Sequence, residues 1–321
     1  MSLETLLPTL ANPEHMPHAT ELLALSNLAG DDLARVLDVW RTLSIQRRRD
    51  IVDALADLIE DNVELDFTSI FIAGLTDSDV QVRADSIKAL WEYEEDDLVP
   101  PLLTLLADPE ALVRAEAALG LGRALMRMEL LDRDDAVATE IEDALRAVVH
   151  SDSELVEVRG RALEAVGVRG KEWVSDLIDE AYASGERRLT ISAVHAMGRN
   201  ADLNWMPTII EEMGSEDGEM QFEAATAAGA LGDEEAIPYL AELTGDEDVE
   251  VQEAAIAALG LIGGPSARSV LHAVAAEHRD ERVLDAVSEA LAEADFAEDP
   301  LGFQVHLDES VAADADEDDD Q

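Results

Sequence analysis

The residues best suited to bind metals or transfer protons are seven histidines and a large population of carboxylates. The histidines are His15, His18, His150, His195, His272, His278 and His306. No pair has the i, i+4 spacing with an intervening Glu that places two zinc ligands on one helix face, and there is no cysteine to supply thiolates. The acidic run over 314–320 lacks the Gly and terminal Glu of a calcium-binding EF-hand loop. We therefore expect no dedicated metal site and no cofactor.

Known catalytic motifs are also absent from the sequence. It contains no Gly-x-Ser-x-Gly nucleophile elbow, no Walker loop for phosphates and no dinucleotide-binding Gly-x-Gly-x-x-Gly. Carboxylates are so numerous that any acid–base pair chosen among them would be arbitrary. The sequence therefore predicts a protein that is not an enzyme and has no catalytic residues.

A recurring Val-Arg phrase shows which elements must position these side chains. A typical copy is Val113-Arg114-Ala115-Glu116-Ala117-Ala118-Leu119-Gly120-Leu121. Aligned on its second residue, the register reads Arg48, Arg83, Arg114, Arg159, Thr190, Phe222, Gln252 and Leu284. Most copies are 30 to 35 residues apart, which suits a repeat of two short helices.

The interval from Arg114 to Arg159 is 45 residues and exposes an insertion near residues 124–137. Insertions in repeat arrays map to loops on one face, which is often the binding face. The alternative is a lengthened helix that fills its own local core. The sequence leaves both interpretations open.

The full pattern, Asp-x-Asp-x-x-Val-Arg-x-x-Ala-x-x-Ala-Leu-Gly, resembles HEAT repeats over roughly residues 19–295, particularly the short type also found in phycobilin lyases. The resemblance implies an all-α, right-handed α-solenoid of about 7–8 helical hairpins whose second helices line the concave face. We expect residues 1–18 to form an N-terminal helix or cap and residues 19–297 to form the repeat array. Residues 298–321 should be an acidic, disordered tail.

An Asp precedes the arginine in the best copies of the phrase, at the turn before the second helix. A guanidinium at this place can bridge the turn of its own repeat or of a neighbouring one. We expect a structural ladder of Asp–Arg contacts between layers, and anion binding is the alternative. The ladder residues are Asp77, Arg83, Asp108, Arg114, Asp152 and Arg159.

The middle of the array carries the cations and aromatic residues that the concave face would present. The candidate partner-binding residues are Lys88, Trp91, Arg123, Arg127, His195 and Arg199. Such a strip in an acidic protein would suit an acidic peptide or the protein's own tail. The alternative is that the cations are solvated, or paired with acids such as Glu92 and Glu116.

The net charge of −51 restricts the class of partner. From residue 200 onward there are 3 arginines, no lysines and 33 acids. Nucleic acids and anionic membranes would be repelled. No signal peptide and no run of ~18 apolar residues is visible, which makes a cytoplasmic location the default. The acidity fits a salt-rich cytoplasm, and the scarcity of lysine also fits codon bias in a GC-rich genome.

Together these observations predict a non-enzymatic scaffold that binds a protein or peptide of unknown identity, as a monomer or weak oligomer. Two rivals follow from the resemblance. One is a phycobilin-lyase-like protein or chaperone of chromophore attachment. The other is a HEAT-like alkylpurine glycosylase, which the charge argues against because that family reads DNA with a basic face.

Overall fold

A computed structural model describes residues 2–12, 15–62, 64–93 and 95–298. Every regular element in these ranges is a helix, which confirms the predicted all-α fold. The predicted tail at 298–321 lies outside the described residues except for its first residue. None of the described helices is long and apolar enough to cross a membrane. The chain forms two compact units, the first ending at Val166 and the second beginning at Gly167.

The N-terminal segment of the first unit contains helix α1 (Leu3–Ala11) and helix α2 (Ala19–Leu22), which continues as a 3₁₀ turn over Leu23–Leu25. Leu6, Leu10 and Leu22 are fully or almost fully buried. The helical segment that begins at Ala19 ends at Leu25. Asn27 has a φ of 57°, in the left-handed region, so the helix cannot continue through it.

The rest of the first unit is a stack of four helical hairpins. The first pair is α3 (Gly30–Trp40) with α4 (Ile45–Asp61), and the second is α5 (Thr68–Gly74) with α6 (Val80–Ala89). The third pair is α7 (Val99–Leu105) with α8 (Ala111–Leu130), and the fourth is α9 (Ala136–Val149) with α10 (Val156–Val166). Within this unit α4 packs on α6, α6 on α8 and α8 on α10.

The second unit is also a stack of four hairpins. These are α11 (Glu172–Tyr182) with α12 (Arg187–Asn200), and α13 (Met206–Met213) with α14 (Gly218–Leu231). They continue as α15 (Ile237–Leu243) with α16 (Val249–Ile262), and α17 (Gly264–Glu277) with α18 (Glu281–Glu298). The eight pairs within the described residues agree with the predicted 7–8.

Aspartates in the turns determine where many of the second helices begin. Asp79 accepts the backbone N–H groups of Gln81 and Val82, and Asp217 and Asp248 each accept one N–H in the same way. A carboxylate at this position satisfies orphan donors and complements the positive end of the helix dipole. The Asp-rich turns of the repeat are therefore N-terminal caps.

The structure corrects the register in one repeat. The register residue lies four positions after the helix cap, which places Gln221 and not Phe222 in the repeat capped by Asp217. Gln221 donates its amide to the backbone oxygen of Met213, and Gln252 donates in the same way to Thr244.

Glycines on the second helices let neighbouring second helices approach closely. In the second unit, a methyl group added to Gly198 would lie 2.6 Å from the Cα of Ala227, and one added to Gly229 would lie 2.7 Å from the Cα of Ala258. Real Cβ atoms do not approach a backbone this closely, so any larger residue would push the helices apart. The terminal Gly of the repeat phrase is thus a packing requirement.

Candidate partner-binding site

The insertion in the third hairpin of the first unit lengthens helix α8 to 20 residues. Leu125 and Met128 are completely buried, so the added turns extend the local core. The C-terminal end of helix α8 is exposed instead, because Leu130 is 79% exposed and the following Leu131 is 62% exposed. The insertion is therefore a lengthened helix, and it also presents two adjacent leucines to solvent.

A pocket of about 200 Å³ lies beside this helix end. Its apolar lining comes from Leu90, Trp91, Leu98, Val99, Leu102, Ala124, Met126 and Leu130, with Gly120 at the floor. Its polar lining is Tyr93, Glu95, Arg123 and Arg127. Trp91 is 53% exposed and stands at the repeat position that most later repeats give to glycine. It can occupy that position because α6 ends at Ala89.

A chain of ion pairs extends from Arg127, which lines the pocket. Asp96 lies 3.2 Å from Arg127 and 2.9 Å from Arg133, and Arg133 also lies 2.7 Å from Asp135. Hydrogen bonds from Arg133 and Arg127 hold the pKa of Asp96 below its usual range. Asp135 caps helix α9, so these contacts fix the end of the insertion next to the pocket.

The polar groups of Arg123 and Tyr93 form hydrogen bonds with neighbouring residues. Arg123 donates a hydrogen bond of 3.0 Å to the backbone oxygen of Ile87, and burial lowers its pKa. Tyr93 donates its hydroxyl to Asp97 at 2.9 Å. Burial together with that hydrogen bond raises the pKa of Tyr93 to about 12. The phenol therefore stays protonated at neutral pH.

Comparison with known proteins identifies the repeat. The HEAT-repeat profile matches residues 68–138, 174–249 and 206–292, more than half of the chain. The chain belongs to the HEAT-repeat family. No curated protein matches the sequence.

Two solved structures show the same architecture. The complex of CpcE and CpcF of phycocyanin lyase from Nostoc sp. PCC7120 is similar with 17% sequence identity and a TM-score of 0.55, over 83% of this chain and 97% of that chain. Yeast importin-beta is similar with 13% identity and a TM-score of 0.50, over 91% of this chain and 46% of that chain. At such identities the likeness concerns the fold, and it confirms the predicted α-solenoid class.

Arginines of the first three HEAT repeats contact acids of the following repeat. Arg83 makes two hydrogen bonds, of 2.9 and 2.8 Å, to the carboxylate of Asp108, and a third to the backbone oxygen of Asp77. The carboxylate of Asp77 pairs at 2.9 Å with Arg48 of the preceding repeat. Asp77 and Asp108 therefore each bind the arginine one repeat earlier, and Arg83 reaches only the backbone of its own turn.

The last predicted pair of the ladder is wrong. Arg114 binds the carboxylate of Glu154 with hydrogen bonds of 2.8 and 2.7 Å, so Glu154 takes the place expected for Asp152. Arg159 donates to the backbone oxygen of Val149 at 2.8 Å. Asp152 is exposed and, within the described chain, makes no ion pair with Arg159. The longer loop after α9 moves Asp152 away from the position that the shorter loops give to the aspartate.

The structure brings together three of the six residues predicted to bind a partner. Trp91, Arg123 and Arg127 line the pocket. Lys88 does not line it, and its amine lies 3.7 Å from Asp85 and 3.5 Å from Glu116. The cation is thus paired with acids on its own and the next second helix, including the Glu116 named in the alternative interpretation.

The remaining two predicted residues, His195 and Arg199, lie on helix α12 of the second unit. His195 Nδ1 is 3.0 Å from the carboxylate of Glu223, and Arg199 is half-buried. In the first unit, sequence reasoning missed Tyr93 and Leu98 as pocket residues. A usable signal was the exposed Leu130-Leu131 pair, because two adjacent leucines at the end of a helix cannot both face the core.

Proposed function

We propose that this protein is a non-enzymatic interaction scaffold that binds a partner protein through the pocket beside the insertion in α8. One observation carries the proposal. An apolar pocket opens beside Trp91 and Leu130, two of the most exposed large apolar side chains among the described residues. Exposed apolar groups that surround a concave site mark interaction surfaces.

The size and lining of the pocket indicate what it would hold. A cavity of about 150 Å³ accepts a molecule of the size of benzene, so a pocket of about 200 Å³ suits one aromatic or long aliphatic side chain. Arg123 and Arg127 line the pocket, and among the described residues each guanidinium donates one of its five N–H groups to a neighbour, so the remaining donors favour acidic residues beside that anchor. The partner segment would therefore carry an apolar anchor flanked by Asp or Glu.

The lining also favours binding over catalysis. The titratable groups that line the pocket are Glu95, Tyr93 and the two arginines. Tyr93 is held protonated, and Arg127 is paired with Asp96. A lone carboxylate without a matched nucleophile or base offers no acid–base pair.

A peptide library displayed against the full-length protein would test the proposal. Selected peptides should carry an apolar anchor next to acids, and Leu130→Glu or Trp91→Ala should abolish their binding. Leu155→Glu is the matched control, because Leu155 is 57% exposed in the same unit and does not line the pocket. If Leu155→Glu weakens binding as much as Leu130→Glu does, the pocket is not the site.

A chromophore-attachment role is the second candidate, supported by the likeness to the phycocyanin lyase complex. The pocket is small for that purpose, since small-molecule sites typically occupy about 300–1,000 Å³. Absorbance titration with a linear tetrapyrrole decides between the candidates. A saturable spectral shift that Leu130→Glu removes would support the chromophore role and contradict the scaffold.

A further inference from the structure

Three side chains at the N-terminal end of the first unit form a cluster of metal-binding type. His15, His18 and Glu21 recur every third residue just before and within α2. One ligand atom from each residue lies within 4.8 Å of the other two. His15 Nε2 lies 3.9 Å from Glu21 Oε2. The i, i+4 histidine spacing of zincins does not detect this cluster, because His15 and His18 precede helix α2 instead of lying on one face of a helix.

The backbone around the cluster is held in place independently of any ion. The carboxylate of Glu21 accepts the backbone N–H of His18 at 2.9 Å, which fixes the turn between the two residues. The buried guanidinium of Arg47 donates to the backbone oxygen of Asn12 at 2.7 Å and contacts the sulfur of Met16 at 2.9 Å. The segment is thereby attached to helix α4, and Leu22 anchors its other end in the core.

The two imidazoles have room to turn toward a common point. Both histidines are exposed, and their ring centroids are 5.4 Å apart with the planes at 78°. Ligands about 2.0–2.2 Å from a tetrahedral zinc ion lie roughly 3.3 Å from each other. The ligand atoms therefore need to close by up to about 1.5 Å, which side-chain rotation of the exposed histidines can supply.

We propose that His15, His18 and Glu21 form a binding site for a divalent transition-metal ion of the zinc type. Two imidazole nitrogens and one carboxylate oxygen are ligands that zinc prefers, whereas calcium and magnesium prefer all-oxygen sets. The net charge of −51 raises the local concentration of cations around the chain. Three protein ligands leave the fourth tetrahedral position to water.

Bound metal would cross-link the segment before α2 to the start of that helix. An ion that binds the folded arrangement and not the unfolded chain raises the unfolding temperature in proportion to the logarithm of its concentration. The site would therefore stabilise the N-terminal cap of the first unit. It is independent of the proposed partner pocket, none of whose lining residues it shares.

The test uses the full-length protein without an affinity tag, titrated calorimetrically with zinc in excess magnesium. Magnesium occupies weak carboxylate sites, so a remaining saturable site reports on nitrogen ligands. We expect one such site per chain, its loss in the double variant His15→Ala/His18→Ala, and its retention in the count-matched control His150→Ala/His272→Ala. Equal binding by both double variants, or none by the unmodified protein, would overturn the proposal.

Cobalt provides a second measurement on the same proteins. Cobalt bound by this ligand set should give visible absorption bands in the unmodified protein and the control, and none in His15→Ala/His18→Ala. Glu21→Gln should weaken binding while circular dichroism stays unchanged. Absorption bands that persist without both histidines would place the metal elsewhere and contradict the assignment.

Discussion

The two units of the chain connect neighbouring repeats in different ways. In the first unit, Arg83 and Arg114 bind carboxylates of the following repeat with paired hydrogen bonds. In the second unit, Gln221 and Gln252 occupy the same register position, and each donates its side-chain amide to a backbone oxygen at the turn of its own repeat. Close glycine–alanine contacts between second helices recur there from repeat to repeat, and the first unit has such a contact at Gly122. The same repeat pattern thus allows neighbouring repeats to be joined by ion pairs, the ionic connection, or by close packing of second helices, the steric connection.

The exposure of the ion pairs explains how much each connection contributes. The side chains of Arg83 and Asp108 are 11% and 7% exposed, whereas those of Arg187 and Asp217 in the second unit are 59% and 32% exposed. Water and salt screen an exposed pair, so it contributes little to stability. The second unit therefore relies on packing, which leaves its surface free to accumulate acids.

The largest expected effect is that of Arg83→Met. It leaves the buried carboxylate of Asp108 without its counter-charge, and we expect a loss of about 3 kcal/mol in the free energy of unfolding, measured by urea titration. Arg187→Met is the matched variant in the second unit, and it should leave the urea midpoint nearly unchanged. Similar losses in the two variants would show that the ionic connection does not distinguish the units.

Gly229→Ala tests the steric connection and should have the next largest effect. The added methyl group would lie 2.7 Å from the Cα of Ala258, so helices α14 and α16 must separate, at a cost of about 2 kcal/mol. Gly245→Ala is the control, because its methyl group would meet only the backbone oxygen of Glu242, at 3.7 Å. A stable Gly229→Ala protein with unchanged unfolding would refute the packing requirement.

Acid should affect the buried pairs of the first unit with a distinctive pH dependence. Hydrogen bonds from Arg49 are the main reason that the pKa of Asp79 is lowered to about 2. A carboxyl with a lowered folded pKa stabilises the fold above its unfolded value of about 3.9, and the contribution is lost as the pH falls toward 2. The cost of Asp79→Asn should therefore be constant above about pH 5 and shrink as the pH falls to about 2.

Thermal unfolding of the two proteins across this pH range measures that difference. Asp217→Asn is the comparison in the second unit, where Arg187 also lowers the pKa of the carboxyl but the pair is exposed. Its smaller cost should vary less with pH. A cost of Asp79→Asn that stays constant down to pH 2 would contradict the ionic role of the Arg49–Asp79 pair.

The sequence predicted the hairpins well because their determinants are local. An Asp-rich turn or a Val-Arg pair marks the start of most second helices. The approximate bounds of these helices could therefore be predicted without any tertiary information. The sequence register wrongly placed Phe222 at the position of Gln221, and this error has a physical cause. Gln221 replaces an arginine by donating to a backbone oxygen eight residues earlier, and a one-dimensional alignment does not show that bond.

The candidate site was predicted less completely because it depends on contacts between distant parts of the chain. Arg127 and Arg133 meet Asp96 across 31 and 37 residues, so their pairing follows from packing and not from spacing. Trp91 and the insertion were recognised as candidates, yet the pocket between them also needs Tyr93 and Leu98. Cations that looked available in the sequence, Lys88 above all, are paired with acids in the fold.

The close glycine–alanine contacts of the second unit use opposite sides of a second helix, because the two residues lie two positions apart in the sequence. Helices α12, α14 and α16 each place a glycine against the next repeat, and α14 and α16 place an alanine against the previous one, as Gly229 and Ala227 do on α14. Any such repeat therefore matches the end of any other. Duplication or deletion of a whole repeat, such as the 31 residues 217–247, would therefore preserve the glycine–alanine contact at each junction. This half of the chain can change in length by whole repeats while its second helices keep the same close approach.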